Sequence, residues 1–143
     1  MCRYHVRICT WSRQPHFALP ETTIAVLEQL LQRLTEFGFS LHAYCFMPDH
    51  VHLLLEANRP DAHAIALISR WKQVTGFRFK QSRGLRLWQP GFFDRVLREQ
   101  ESSRGVAAYI VANPVRAGIA KSVGEYPFAW CEWGNDVGVQ TRG

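Results

Sequence analysis

Several things are missing from this 143-residue sequence, and each absence removes a class of protein. No stretch is long and apolar enough to span a membrane. Met1 to Thr10 carries charges where a secretion signal would need an apolar run, so the expected compartment is the cytoplasm. The four cysteines, Cys2, Cys9, Cys45 and Cys131, form no CxxC pair, which argues against a zinc ribbon or a thioredoxin-type redox site. Their apolar and aromatic neighbours predict buried, reduced thiols. There is no internal repeat, low-complexity tract or internal linker. A single domain over residues 1–133 is expected, with a Gly-rich, mobile tail over 134–143.

The composition is that of an ordinary globular chain, with 47% hydrophobic and 20% charged residues. Seventeen Lys and Arg against twelve Asp and Glu leave a formal charge of +5. Such a balance suits a polyanionic partner without naming one.

Periodicity orders the chain. Tyr4 to Trp11 alternates as a strand, with Tyr4, Val6 and Ile8 on one face and His5, Arg7 and Cys9 on the other. Pro20 and Glu21 open a helix that reaches Phe37 and ends at Gly38, with Ile24, Leu27, Leu31 and Leu34 at helical spacing. Strands over Phe39–Met47 and His50–Ala57, punctuated by Pro48-Asp49, read as a hairpin. A second helix is predicted from an Asp61 cap to Lys80, with Ala64, Leu67, Trp71 and Val74 as its stripe. A basic loop over Gln81 to Pro90 and a strand over Phe92 to Glu99 follow. Ser102 or Ser103 then caps a third helix that stops near Asn113, because Pro114 disfavours a helical residue before it. The order β-α-β-β-α-β-α predicts an α+β, ferredoxin-like antiparallel sheet. Two helices lie on one face, and the third is left to cover the other.

Two constellations carry chemistry. His50 and His52 are two apart on a strand, so both imidazoles stand on one face and can share a metal. His-x-His alone is weak, but polar groups at the start of an otherwise apolar, buried strand need a reason. On the third helix, Val106, Ala107, Ala108, Ile110, Val111 and Ala112 surround most of the axis. The remaining stripe is Ser102, Gly105, Tyr109 and Asn113. It presents a phenol and, one turn later, a carboxamide, with Gly105 leaving space beside the phenol.

Together, MPDHVHLLLE and YIVANPVRAGI resemble the single-tyrosine HUH transposases, in the branch associated with REP elements. YHVRICT, LHAYCFMPDHVH and LWQPGFFDRVLRE support the resemblance in the family's usual order, up to about Trp130. The first strand begins almost at Met1, so an N-terminal extension carried by many relatives is expected to be short or absent. The resemblance implies that Tyr109 is the catalytic tyrosine, that His50 and His52 are metal ligands and that Asn113 is the third protein ligand. It implies cleavage and rejoining of single-stranded or hairpin DNA through a 5′-phosphotyrosine. A divalent Mg2+ or Mn2+ would assist, with no ATP.

Two neutral imidazoles and an amide oxygen suit such a cation, and nitrogen ligation favours manganese in vitro. The expected partner is DNA, with no membrane, and the protein is expected as a monomer or homodimer. Arg70, Lys72, Arg78, Lys80, Arg83 and Arg86, on the second helix and the loop after it, are candidates to track a phosphate backbone, as is Arg116. Trp71, Phe77 and Phe79 read as core rather than stacking platforms. No residue stands out as a general base, and His5 and Asp49 are the candidates.

The main alternative is a domesticated, non-catalytic binder of hairpin DNA, against which the intact His50, His52, Tyr109 and Asn113 argue. A histidine-nucleophile phosphoesterase would need a further histidine where Leu54 stands. A ferredoxin-like RNA-binding domain would need a more aromatic sheet face.

Overall fold

A computed structural model describes residues 1–134. The tail expected at 134–143 therefore lies, from residue 135 on, outside the described residues. Five strands form one antiparallel sheet in the order β4-β1-β3-β2-β5. They are β1 (Arg3–Cys9), β2 (Phe39–Met47), β3 (His50–Ala57), β4 (Phe93–Val96) and β5 (Ala129–Cys131). The helices are α1 (Pro20–Phe37), α2 (Ala64–Arg83), α3 (Ser103–Val111) and the single turn α4 (Asn113–Arg116). The β1-α1-β2-β3-α2-β4 core is the ferredoxin-like arrangement that the element order predicts.

Alternation assigns each strand residue to a layer. Val6, Ile8, Val51, Leu53 and Leu55 enter one core with Val26 and Leu30 of α1 and Leu67, Ile68 and Trp71 of α2. On the other face, Ala43, Cys45 and Leu54 meet Ala107, Ala108, Ile110 and Val111 of α3. The β2–β3 hairpin has the expected bounds, with Met47 opposite His50 across the Pro48-Asp49 turn.

The structure corrects several expectations. Ile24 and Leu31 do not face the core, being 48% and 49% exposed. Helix α1 docks instead through Thr22, Thr23, Val26, Gln29 and Leu30. The Thr23 hydroxyl donates to the Phe17 carbonyl, and the Trp71 indole N–H to the Val26 carbonyl. Polar residues can occupy the covered face because their hydrogen bonds are made there.

Asp61 does not cap α2. It pairs with Arg59, and the helix begins at Ala64 with His63 as the flanking residue. Helix α2 also runs past Lys80 to Arg83, where Gly84 ends it in the left-handed region at φ 70°. Strand β4 is shorter than Phe92–Glu99. It ends at Val96, and the carbonyls of Arg98, Glu99 and Glu101 beyond it accept from the Arg3 guanidinium instead of a strand partner. Pro114 does not extend Asn113. It sits in the first turn of α4, where its missing N–H costs nothing. Strand β5 was not foreseen, and Cys2 is exposed rather than buried.

Candidate active site

Helix α3 lies over β2, β3 and β5. The same face of β1 and β4 is left open beside it. At the boundary stands Tyr109, 55% exposed on the stripe with Ser102 and Gly105 that the helical wheel predicts. Ser102 fixes the start of the helix, its hydroxyl accepting from the Gly105 N–H.

His50 and His52 lie on one face of β3 with their ring centres 5.1 Å apart, and His52 reaches the open half. Across the sheet, His52 pairs with Arg7 of β1, and Arg7 pairs with Phe93 of β4. His5, Arg7, His52, Phe93 and Tyr109 line one cleft of about 220 Å3. The His5 ring is 6.4 Å from that of Tyr109, centre to centre, in an edge-on arrangement. One chain therefore brings the tyrosine and a histidine of the pair to a common cavity.

Each histidine of the pair is oriented through Nδ1. His50 Nδ1 donates to Asp49 Oδ1 at 2.7 Å, and His52 Nδ1 lies 3.0 Å from His5 Nε2. Burial would raise the Asp49 carboxyl, but hydrogen bonds from His50 and Arg13 hold it below the usual carboxylate range. Burial pushes His52 down to about 3, helped by the charges of His5, His50, Arg7 and Arg116. His5 is lowered by burial and by Arg95 and Arg7. Both His5 and His52 are thus neutral at physiological pH.

The donor chemistry fits a divalent cation. Metal-ligating imidazoles characteristically donate their second N–H to a fixed acceptor, which leaves the other nitrogen's lone pair for the metal. With its Nδ1–H on Asp49, His50 offers Nε2, and His52 does the same if its Nδ1–H is on His5. Asn113 is engaged within its own turn. Its amide N–H donates to the Ile110 carbonyl, and its Oδ1 accepts from Arg116. An amide oxygen has a second lone pair, so this does not use up its capacity as a ligand. Among the described residues, no group of three His, Cys, Asp or Glu side chains is placed to hold a metal.

The candidate DNA contacts separate into two places. Arg116 belongs to the site. Its guanidinium lies 3.9 Å over the Tyr109 ring, donates to the Tyr109 carbonyl and Asn113 Oδ1, and projects its charge onto His52. Arg70, Lys72, Arg78, Lys80, Arg83 and Arg86 lie on α2 and the loop after it, and α2 packs on the opposite face of the sheet. Several already have partners there. Arg83 pairs with Glu21, Lys72 donates to the Gln89 and Gly91 carbonyls, and Arg86 stacks on Trp11. Trp71 and Phe79 are core as expected, whereas Phe77 is exposed.

Residues 1–113 match the profile of the family described as "Transposase IS200 like". The chain belongs to that family. It is also 27% identical over 134 residues to the REP-associated tyrosine transposase of Escherichia coli strain K12, covering 89% of this chain and 79% of that protein. A putative REP-associated tyrosine transposase of Haemophilus influenzae is 27% identical over 109 residues, covering 68% of this chain and 62% of that one. Among solved structures, a REP-associated tyrosine transposase bound to a REP hairpin superposes with a TM-score of 0.75 at 21% identity. The superposition covers 90% of this chain and 75% of that one. A putative transposase from Deinococcus radiodurans superposes at 0.58 with 24% identity, over 82% and 84% of the two chains.

The family match spans the histidine pair, the tyrosine and Asn113. Arg7 and Phe93 are cleft residues that motif reading passed over. The signal was available for Arg7, which shares a strand face with His5 by simple alternation.

Proposed function

We propose that this transposase-family chain cuts and rejoins single-stranded DNA beside a hairpin, with Tyr109 as the nucleophile. The observation that carries the reading is the shared cleft, which Tyr109 and His52 line together with His5, Arg7 and Phe93. The relative solved with a REP hairpin supports hairpin DNA as the substrate.

In the reaction, Tyr109 Oη forms a bond to phosphorus as the bond from phosphorus to O3′ breaks. The phosphoryl group is left on the tyrosine as a 5′-phosphotyrosine, and the phenolic proton is transferred overall to the departing 3′-oxygen. Attack by another 3′-hydroxyl reverses these changes and joins strands without ATP, because the ester on Tyr109 retains the energy of the broken linkage. His50, His52 and the Asn113 amide oxygen would hold a magnesium or manganese ion. When bound, it supplies Lewis-acid polarisation of the scissile phosphate. The Asp49 carboxylate fixes the tautomer of His50, and the contact with His5 orients the ring of His52. Arg116 holds the tyrosine ring from its face and adds positive charge near the phosphate.

The test is a labelled hairpin oligonucleotide with unpaired flanks, incubated with manganese and resolved under denaturing conditions. The wild-type chain is expected to form a covalent adduct that Tyr109→Phe abolishes. Joint replacement of His50 and His52 by Ala abolishes the adduct while leaving hairpin binding intact. An adduct that survives Tyr109→Phe overturns the nucleophile assignment. Binding without any adduct would make the chain a non-catalytic hairpin binder.

A further inference from the structure

Strand β4 is the edge of the sheet, and all four of its residues are exposed. Phe93 is 61% exposed there, although a large apolar ring on an open edge contributes little to the core. Its position is set by register. Phe93, Arg7 and His52 are direct neighbours across β4, β1 and β3. Adjacent strands are spaced by about 4.8 Å, so the Phe93 backbone stands roughly 10 Å from that of His52.

Phe93 also borders three adjoining depressions. One runs along the start of α3 past Ser102, Gly105 and Tyr109. The second is the cleft with His5, Arg7, His52 and Tyr109. The third lies against Arg7, Cys9 and the loop from Gln89 to Phe92. The first two share His5 and Tyr109 and the last two share Arg7, so with Phe93 lining all three they adjoin as a trough that starts at the tyrosine.

The charges in the trough are not equivalent. Arg95 is held by Glu101 through contacts of 2.7 and 2.9 Å. Arg7 makes no ion pair among the described residues, and its guanidinium lies 5.5 Å from the Phe93 ring centre. An exposed aromatic face beside an uncompensated guanidinium is the combination that receives an unpaired nucleotide. The base stacks on the ring, and the cation meets the phosphate.

We propose that Phe93 and Arg7 form a subsite for one unpaired nucleotide of the DNA strand cut at Tyr109. The base stacks on Phe93 and the adjoining phosphate pairs with Arg7. The subsite rests on the DNA-cleaving reading and adds where the strand lies: across the open β1–β4 half of the sheet, away from the basic face of α2.

Binding is measured by fluorescence anisotropy in a Tyr109→Phe background, which prevents covalent trapping. The two probes are a labelled hairpin with an unpaired arm and the same hairpin without it. Phe93→Ala should weaken the armed probe about tenfold, as expected for loss of one stacked base, and leave the armless probe unchanged. Phe93→Trp should retain the armed affinity. Arg7→Gln should weaken armed binding and flatten its salt dependence. Unchanged thermal midpoints confirm that the variants fold.

Equal affinities of parent and Phe93→Ala for the armed probe would overturn the subsite. So would equal losses on both probes. The adduct assay with the wild-type chain separates the two ideas. An adduct without a Phe93 effect removes the subsite alone. An arm-specific Phe93 effect without an adduct removes the cleavage reading and keeps the subsite as a binding feature.

Discussion

The two faces of the sheet use the same alternating strands for opposite purposes. On one, Val6, Ile8, Val51, Leu53 and Leu55 are sealed under α1 and α2, and the polar groups present there are satisfied by protein partners. On the other, α3 covers β2 and β3 and leaves His5, Arg7, Phe93 and Arg95 along the open half. A strand buried on both faces would read as a continuous apolar run. His50 and His52 interrupt that run because the β3 residues on their face emerge from beneath α3 toward the cleft. The covered face holds the molecule together, and the half-covered face is free to carry unpaired imidazole nitrogens and a stacking ring.

The contrast predicts a large difference in stability between the faces. Trp71 is fully buried, touches Trp88 and donates its indole N–H to the Val26 carbonyl. Trp71→Ala should cost about 3–5 kcal/mol in urea unfolding, through lost burial, a cavity and an orphaned carbonyl. Tyr109→Phe, on an exposed stripe, should shift stability by no more than about 0.5 kcal/mol while eliminating the adduct. Comparable losses for the two would mean that the tyrosine face is also structural.

How much of this was legible in the sequence follows the same division. The hairpin bounds, the Tyr109 stripe and the side of the sheet carrying His5 and Arg7 came from alternation and helical spacing, which report local geometry directly. The docking face of α1 did not. Its strongest apolar row includes Ile24 and Leu31, yet the helix turns Thr23, Val26 and Leu30 inward, a choice fixed by tertiary partners such as Phe17 and Trp71. Strand β5 was illegible because three residues are too few to show a period. The pairing of His5 with His52, 47 positions apart, exists only through strand register. The far-face placement of the α2 basic residues likewise depends on how the helix docks.

Acid should also separate the faces. His52 is buried and has its pKa lowered to about 3, against 6.5 for a free imidazole. Between these values the unfolded chain binds a proton that the folded chain does not, so stability rises with pH across that window. Conversely, His52 erodes the fold as pH falls from 6.5 toward 3, by at most about 1.4 kcal/mol per pH step of one. Urea midpoints measured against pH in metal-free buffer should show a shallower acid slope in His52→Gln. His5, lowered in the same direction, contributes to the residual slope in that variant. Superimposable profiles would show that the imidazole titrates as freely in the folded chain as in the unfolded one.

The finest test concerns the hydrogen bond that orients His52. If His5 Nε2 accepts the Nδ1–H of His52 across their 3.0 Å separation, it leaves the His52 Nε2 lone pair available to a cation. His5→Leu removes the acceptor while keeping bulk, so either tautomer becomes accessible and a buried N–H loses its partner. Manganese affinity, read from the EPR signal of the free ion, should fall about tenfold, the lower end of what such supporting contacts contribute. His5→Gln places an amide oxygen near the former Nε2 and should recover most of that affinity. Recovery by Gln but not by Leu identifies a positioning role, because a purely space-filling one would favour Leu. Equal affinities in all three chains would mean that His52 holds its tautomer without help from β1, and the open half of the sheet would then serve the DNA strand alone.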